Sequence, residues 1–152
     1  MSQTNELEIM ERIALDLEGV EESLASSFNT GAEDFNALIR PLSAAGGKRL
    51  RAQLCLLIAN AGTSVERQRI RIAEAVEMLH LATLIHDDVL DQAEIRRGED
   101  TIHMHKGNKV AILSGDYLFA KAFQIVSEMP NMKYLQIFSH IITCLVEGEF
   151  MQ

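Results

Sequence analysis

Near the N-terminus apolar residues recur at intervals of three and four: Leu7, Met10, Ile13, Ala14, Leu17, Val20, Leu24 and Phe28. That spacing predicts an amphipathic helix with its acids on the water side, ending near Asn29 to Gly31. A second short helix fits Glu33 to Ser43, and the Gly46-Gly47 pair then breaks the chain. Another apolar run extends from Leu50 to Ala61, punctuated by Gly62-Thr63-Ser64. Ser64 can cap a following helix, although Arg67 three positions on completes no capping box. Ile70, Ala73, Val76, Leu79, Leu84 and Ile85 then predict a long buried helix that ends between Leu90 and Ala93. Glu94 to Lys106 is polar and unpatterned, hence a loop. Asn108 to Met129 and Met132 to Gln152 form two more helices, divided by Pro130-Asn131. No strand, hairpin turn or internal repeat is expected.

The outcome is an all-α fold in one domain, with residues 1–31 as an acidic first helix. At 152 residues, 47% hydrophobic and with only 2 Pro, the chain can bury a real core and sustain long helices. The net charge of -8 is uneven: residues 1–34 hold nine acids against Arg12, and the remainder balances at thirteen of each sign. Without a basic stripe the chain is a poor nucleic-acid binder. Cys55 and Cys144 sit in apolar patterns without partner spacing, as small buried hydrophobes in a reducing compartment do. The N-terminus lacks a signal pattern, and no stretch reaches the roughly 18 apolar residues of a membrane span, so the expected location is the cytoplasm.

The segment LIHDDVLDQ places Asp87, Asp88 and Asp91 at the end of the long helix. At about 100° per residue they fall at roughly 0°, 100° and 40°, so the three carboxylates are expected to converge on a hard cation such as magnesium. An isolated DDxxD also occurs as a solvated acidic helix end. Here the upstream run LHLATLI is apolar on nearly every face, which turns the acids toward a cavity. Arg96 and Arg97 follow in IRRG, and adjacent guanidinium groups beside metal-binding carboxylates suit a diphosphate. In GGKRLR, Gly46 and Gly47 allow close backbone approach, and Lys48 and Arg51 share a face at a helix start, either as an anion site or as a solvated end. His80 lies two turns before Asp87 at about the same azimuth. Alone, it reads equally as a hydrogen-bonded core histidine.

GGKRLR, EMLHLATLIHDDVLDQAEIRRG, LSGDYLF and GEFMQ, in this order and spacing, resemble the N-terminal half of the trans-isoprenyl diphosphate synthases, especially the polyprenyl synthases. The resemblance implies an isoprenoid-synthase-type helical bundle, incomplete here, that condenses isopentenyl diphosphate with an allylic prenyl diphosphate. It implies that Gly47, Lys48, Arg51, His80 and Arg97 bind isopentenyl diphosphate and that Arg96 binds the allylic diphosphate. Asp87, Asp88 and Asp91 would bind the magnesium that bridges to the allylic substrate and assists its ionisation. No protein nucleophile is needed, in keeping with the absence of an arranged triad.

Members of the family run to about twice this length and carry a second aspartate-rich motif, whereas after Asp116 this sequence has only Glu128, Glu147 and Glu149 as acids. The expectation is a truncated form of a longer synthase, inactive alone, that leaves apolar faces uncovered at Phe119, Phe123, Phe138 and Leu145. It would pair as a homodimer or with a completing C-terminal half. Competing readings are a non-catalytic partner subunit and a terpene cyclase, the latter opposed by GGKRLR with His80. Short-chain members carry bulky aromatics four and five residues before the first aspartate, where this sequence has Thr83 and Ala82. Room beneath the site then implies a long product, about C30 or above, the alternative being a floor supplied by another helix with Phe119, Phe123 or Phe138 as the plug.

Overall fold

The structure, a computed structural model, describes residues 3–29, 33–44, 47–62 and 65–151. The expected roles of Gly31, Gly46, Ser64 and Gln152 lie outside the described residues. Seven helices are seen among the described residues: α1 (Gln3–Ser27), α2 (Glu33–Ala44), α3 (Leu50–Asn60), α4 (Glu66–Leu90), α5 (Ile102–Lys106), α6 (Asn108–Ser127) and α7 (Met132–Phe150).

α4 is the axis of the bundle. It packs most extensively on α6 and also on α1 and α3, while α7 lies against α6. Buried positions on nearly every side of α4 explain why its apolar pattern has no clean polar face: Ala73, Ala75, Met78, Leu79, Leu81, Ala82 and Ile85 are all core. From α1 the core receives Ile13, Val20, Leu24 and Phe28, each of the fully buried ones contributing about 1.5–3 kcal/mol. Leu7, Met10 and Ala14 belong to the predicted stripe yet are exposed, whereas Ile9, outside it, packs against the core ahead of Ile13.

One acid of α1, Asp16, does not face water as expected, and a second, Glu21, is exposed but paired. Asp16 is buried, accepting from Arg69 Nε at 2.9 Å and from Asn60 at 3.0 Å, and Glu21 accepts from Arg49 Nε at 2.6 Å. Glu74, fully buried on α4, accepts from Ser23, Ser27 and Arg71. Buried carboxylates of this kind persist only when paired, and here Asp16 through Arg69 and Glu74 through Ser23 and Ser27 tie α1 to α4.

The segment expected to be a loop carries structure. β1 (Ile95–Arg96) pairs antiparallel with β2 (Glu99–Asp100) across Arg97-Gly98, whose φ values are 54° and 86°. Two successive residues with positive φ make the tight hairpin turn whose twist matches the strands. Arginine at the first of these positions gives no sequence signal, which hides the hairpin.

Three further expectations change. Cys144 is exposed on α7, with Sγ 3.7 Å from His140 Nε2, whereas Cys55 is half-buried. α6 is long and apolar enough, by length and composition, to cross a membrane, but its Ala111, Leu118, Ala122, Ile125 and Val126 are core residues of the bundle. Of the four side chains expected to be uncovered, only Leu145 is exposed. Phe138 is buried edge-on against Phe123 with ring centres 5.5 Å apart, and Phe119 packs on the core. The exposed apolar residues of α6 and α7 instead include Ile112, Leu113, Met132, Ile137, Ile141, Leu145, Val146 and Phe150.

Candidate active site

The C-terminal half of α4 presents charged and imidazole side chains on two sides. On one side His80, Thr83, His86 and Asp87 line an open cleft of about 650 Å³ together with Arg51 of α3, Phe119 of α6 and an apolar wall from α7 that includes Ile142, Leu145 and Val146. On the other side Asp88 lines a second cleft, of about 750 Å³, with Arg96 and Arg97 of the hairpin and a floor from α2 that includes Leu38 and Leu42. Leu84 separates the two and borders both.

The three aspartates therefore do not converge as expected. Asp88 is buried and accepts a 2.6 Å charge-assisted hydrogen bond from Arg96 Nε. Asp87 is half-buried, and burial, then the neighbouring Asp91 charge, push its carboxyl above the ordinary value. Asp91 is exposed as the residue that ends α4. Among the described residues no three carboxylate, imidazole or thiolate groups are gathered to hold a metal. Asp87 and Asp91, one turn apart, nevertheless offer hard oxygen donors whose mutual repulsion a cation would relieve. Magnesium commonly takes only one or two carboxylates and completes its shell with water and phosphate oxygens, so this donor pair fits it.

The basic residues come from three distant segments. Arg97 packs its guanidinium against Gly47, joining the hairpin to the start of α3. His80 is pushed below its ordinary pKa of 6.5, first by burial, then by the cations Arg51, Arg97 and Arg96, against an opposing pull from Glu77. The charges of Arg51, Arg97 and Arg96 thus all reach His80, although of these only Arg51 lines the same cleft, whereas Lys48 is exposed and, like Asp91, lines neither cleft.

What presents this basic turn was not foreseen. Arg49 lies between the two expected ligands Lys48 and Arg51, but it is buried with φ 45° and ψ 38°. Its guanidinium pairs with Glu21 and, at 3.7 Å, with Glu77 of α4, and the hydrogen bond to Glu21 leads in raising its pKa. Glu77 also accepts the Ala52 N–H at 3.0 Å, satisfying a backbone donor in the first turn of α3. A left-handed arginine costs of order 1–3 kcal/mol and persists where surrounding bonds hold it. The sequence held one sign of this: Glu77 is a charge inside an apolar helix, where only a paired carboxylate is tolerated.

A helical bundle with acids and arginines around a central helix is the arrangement of the isoprenoid synthases, and solved members resemble this chain closely. A decaprenyl diphosphate synthase from Rhodobacter capsulatus matches with TM-score 0.86 and 33% identity, over 95% of this chain and 45% of its own. A polyprenyl synthase from Caulobacter crescentus, solved with calcium and isoprenyl diphosphate, matches with TM-score 0.87 and 36% identity, over 93% and 44%. The chain belongs to the polyprenyl synthetase family, which it matches over residues 32–152. Octaprenyl diphosphate synthase of Escherichia coli (strain K12) is 33% identical over 144 residues, 95% of this chain and 45% of that protein. The chain thus spans about half the length of the curated relatives it matches.

Proposed function

We propose that this chain forms the diphosphate- and magnesium-binding first half of a prenyltransferase that joins isopentenyl diphosphate to an allylic prenyl diphosphate. The observation that carries the reading is that basic groups from three separate segments flank the carboxylates that end α4, Arg51 and His80 in the cleft of Asp87, and Arg96 and Arg97, the latter against Gly47, in the cleft of Asp88. Gly47, Lys48, Arg51, His80 and Arg97 bind isopentenyl diphosphate. Arg96, oriented by Asp88, binds the allylic diphosphate, and Asp87 and Asp91 hold magnesium. When bound, magnesium neutralises charge on the departing diphosphate. Arg96 supplies further N–H donors to the same diphosphate. The apolar wall of α7 beyond Thr83 receives the growing tail. Ala82, fully buried in the core, takes no part in that wall, so Thr83 and Phe119 are the side chains that set its width. The octaprenyl and decaprenyl products named for the relatives support a long product.

Calorimetry with isopentenyl diphosphate in the absence of magnesium tests the reading. Binding to the chain, lost in Lys48→Ala and Arg51→Ala, is the expected result. No binding, with an allylic diphosphate still bound in the presence of magnesium, would favour a cyclase and defeat the assignment. For turnover, the chain completed by a C-terminal half should incorporate radiolabelled isopentenyl diphosphate only with magnesium and intact Asp87, while residues 1–152 alone should not.

A further inference from the structure

His86 precedes the aspartates and has no part in the scheme above. Its ring lies on α6 in a seat made by residues one turn apart. Nε2 is 3.1 Å from the Ile112 carbonyl oxygen and 3.5 Å from Asp116 Oδ1, and the ring centre is 5.4 Å from that of Phe119. The seat exists because residue 115 is glycine: a Cβ built there would fall within the His86 ring. A carbonyl oxygen can only accept, so the hydrogen is assigned to Nε2, which donates to it.

We propose that His86 is a positioning residue. Held by Ile112 and admitted by Gly115, its ring fixes the rotation of the last turn of α4 and thereby aims the adjacent Asp87 carboxylate into the cleft. Successive helical side chains diverge by about 100°, so anchoring residue 86 on α6 determines where residue 87 points. Groups behind a metal ligand that fix its orientation commonly govern affinity for the ion. The inference rests on the reading that Asp87 holds a divalent cation.

The test is uptake of manganese(II) in the presence of inorganic diphosphate, followed by electron paramagnetic resonance on the 152-residue chain and three variants. His86→Phe keeps the ring and removes the donor. His86→Gln restores an N–H at comparable reach. Gly115→Ala leaves His86 intact but fills its seat, and alanine is the better helix former, so α6 itself is not weakened. Uptake about tenfold weaker in His86→Phe and Gly115→Ala, with His86→Gln within about threefold of wild type, is expected. Nitrogen-15 shifts of the wild-type imidazole should show the proton on Nε2. Equal uptake in all four proteins overturns the inference and leaves the reading of the site standing. Losses that merely follow the melting temperature mark a packing role and overturn it too. A wild-type chain that takes up no manganese(II) sinks the reading and the inference together.

Discussion

The guanidinium of Arg97 occupies the space where a side chain at residue 47 would begin, with Nη2 3.3 Å from a Cβ built on Gly47. Residues fifty positions apart are thereby brought together, and a side chain at 47 would press on the Arg97 guanidinium. The contact is tighter than ordinary packing, but it involves the far end of a flexible side chain. A methyl group at 47 should therefore shift Arg97 without unfolding the turn.

Gly47→Ala should weaken binding of inorganic diphosphate by about 1 kcal/mol, and Arg97→Ala by about 2 kcal/mol, typical of lost hydrogen bonds to a charged group. The double variant should be no weaker than Arg97→Ala, because both changes remove the same donor. Calorimetric titration of the four proteins measures this coupling, and full additivity would separate the two residues.

Asp88→Asn should lower stability to urea by about 1–3 kcal/mol, since a buried acceptor of the Arg96 hydrogen bond loses its charge. Arg96 would lose its orientation as well, so the variant should bind an allylic diphosphate as poorly as Arg96→Ala. Retained affinity would mean that Asp88 does not orient Arg96.

Arg49→Ala removes the cationic partner of buried Glu77 and should destabilise the chain by about 3 kcal/mol. Neutralising the orphaned acid in Arg49→Ala with Glu77→Gln should recover part of the loss, giving a double variant less damaged than the sum. Urea unfolding supplies all four stabilities.

His80 carries a testable pH dependence. Its folded-state pKa lies below the ordinary 6.5, so the unfolded chain binds the proton more readily. The native state is then favoured fully above about pH 6.5, and this contribution is lost as the pH falls through that value toward the depressed one. Imidazole resonances followed from pH 8 to about pH 5 should titrate late. Arg51→Ala should move the midpoint back upward, and a bound diphosphate should do the same by offsetting the cations.

The helices and their order were legible because apolar spacing and Gly or Pro breaks agree along this chain, from Ile13 to the Pro130 turn. The site residues were legible as charge types in a recognisable order. Their grouping was not fully so. Helical azimuth put Asp87, Asp88 and Asp91 in one sector, but it cannot register that Arg96 claims Asp88 from the other side of α4. The hairpin at Arg97 and the buried turn at Arg49 both depend on left-handed arginines, a conformation for which the sequence offers no preference. The inward acids Asp16 and Glu74 look like solvent-facing charges until their partners from other helices are in place.

Those same inward acids set a constraint on evolution and engineering. Glu74 engages the serines of α1, Glu77 engages the start of α3, and Arg69 engages Asp16, so α4 is indexed at three successive points like a shaft keyed to its housing. Between these keys and the seat of His86, the rotation of the helix decides which aspartate enters which cleft. A single residue inserted between Glu77 and Asp87 would advance the end of the helix by about 100° and carry Asp87 toward the azimuth now held by Asp88. A change of length in this segment therefore re-aims all three aspartates at once, which no single substitution does.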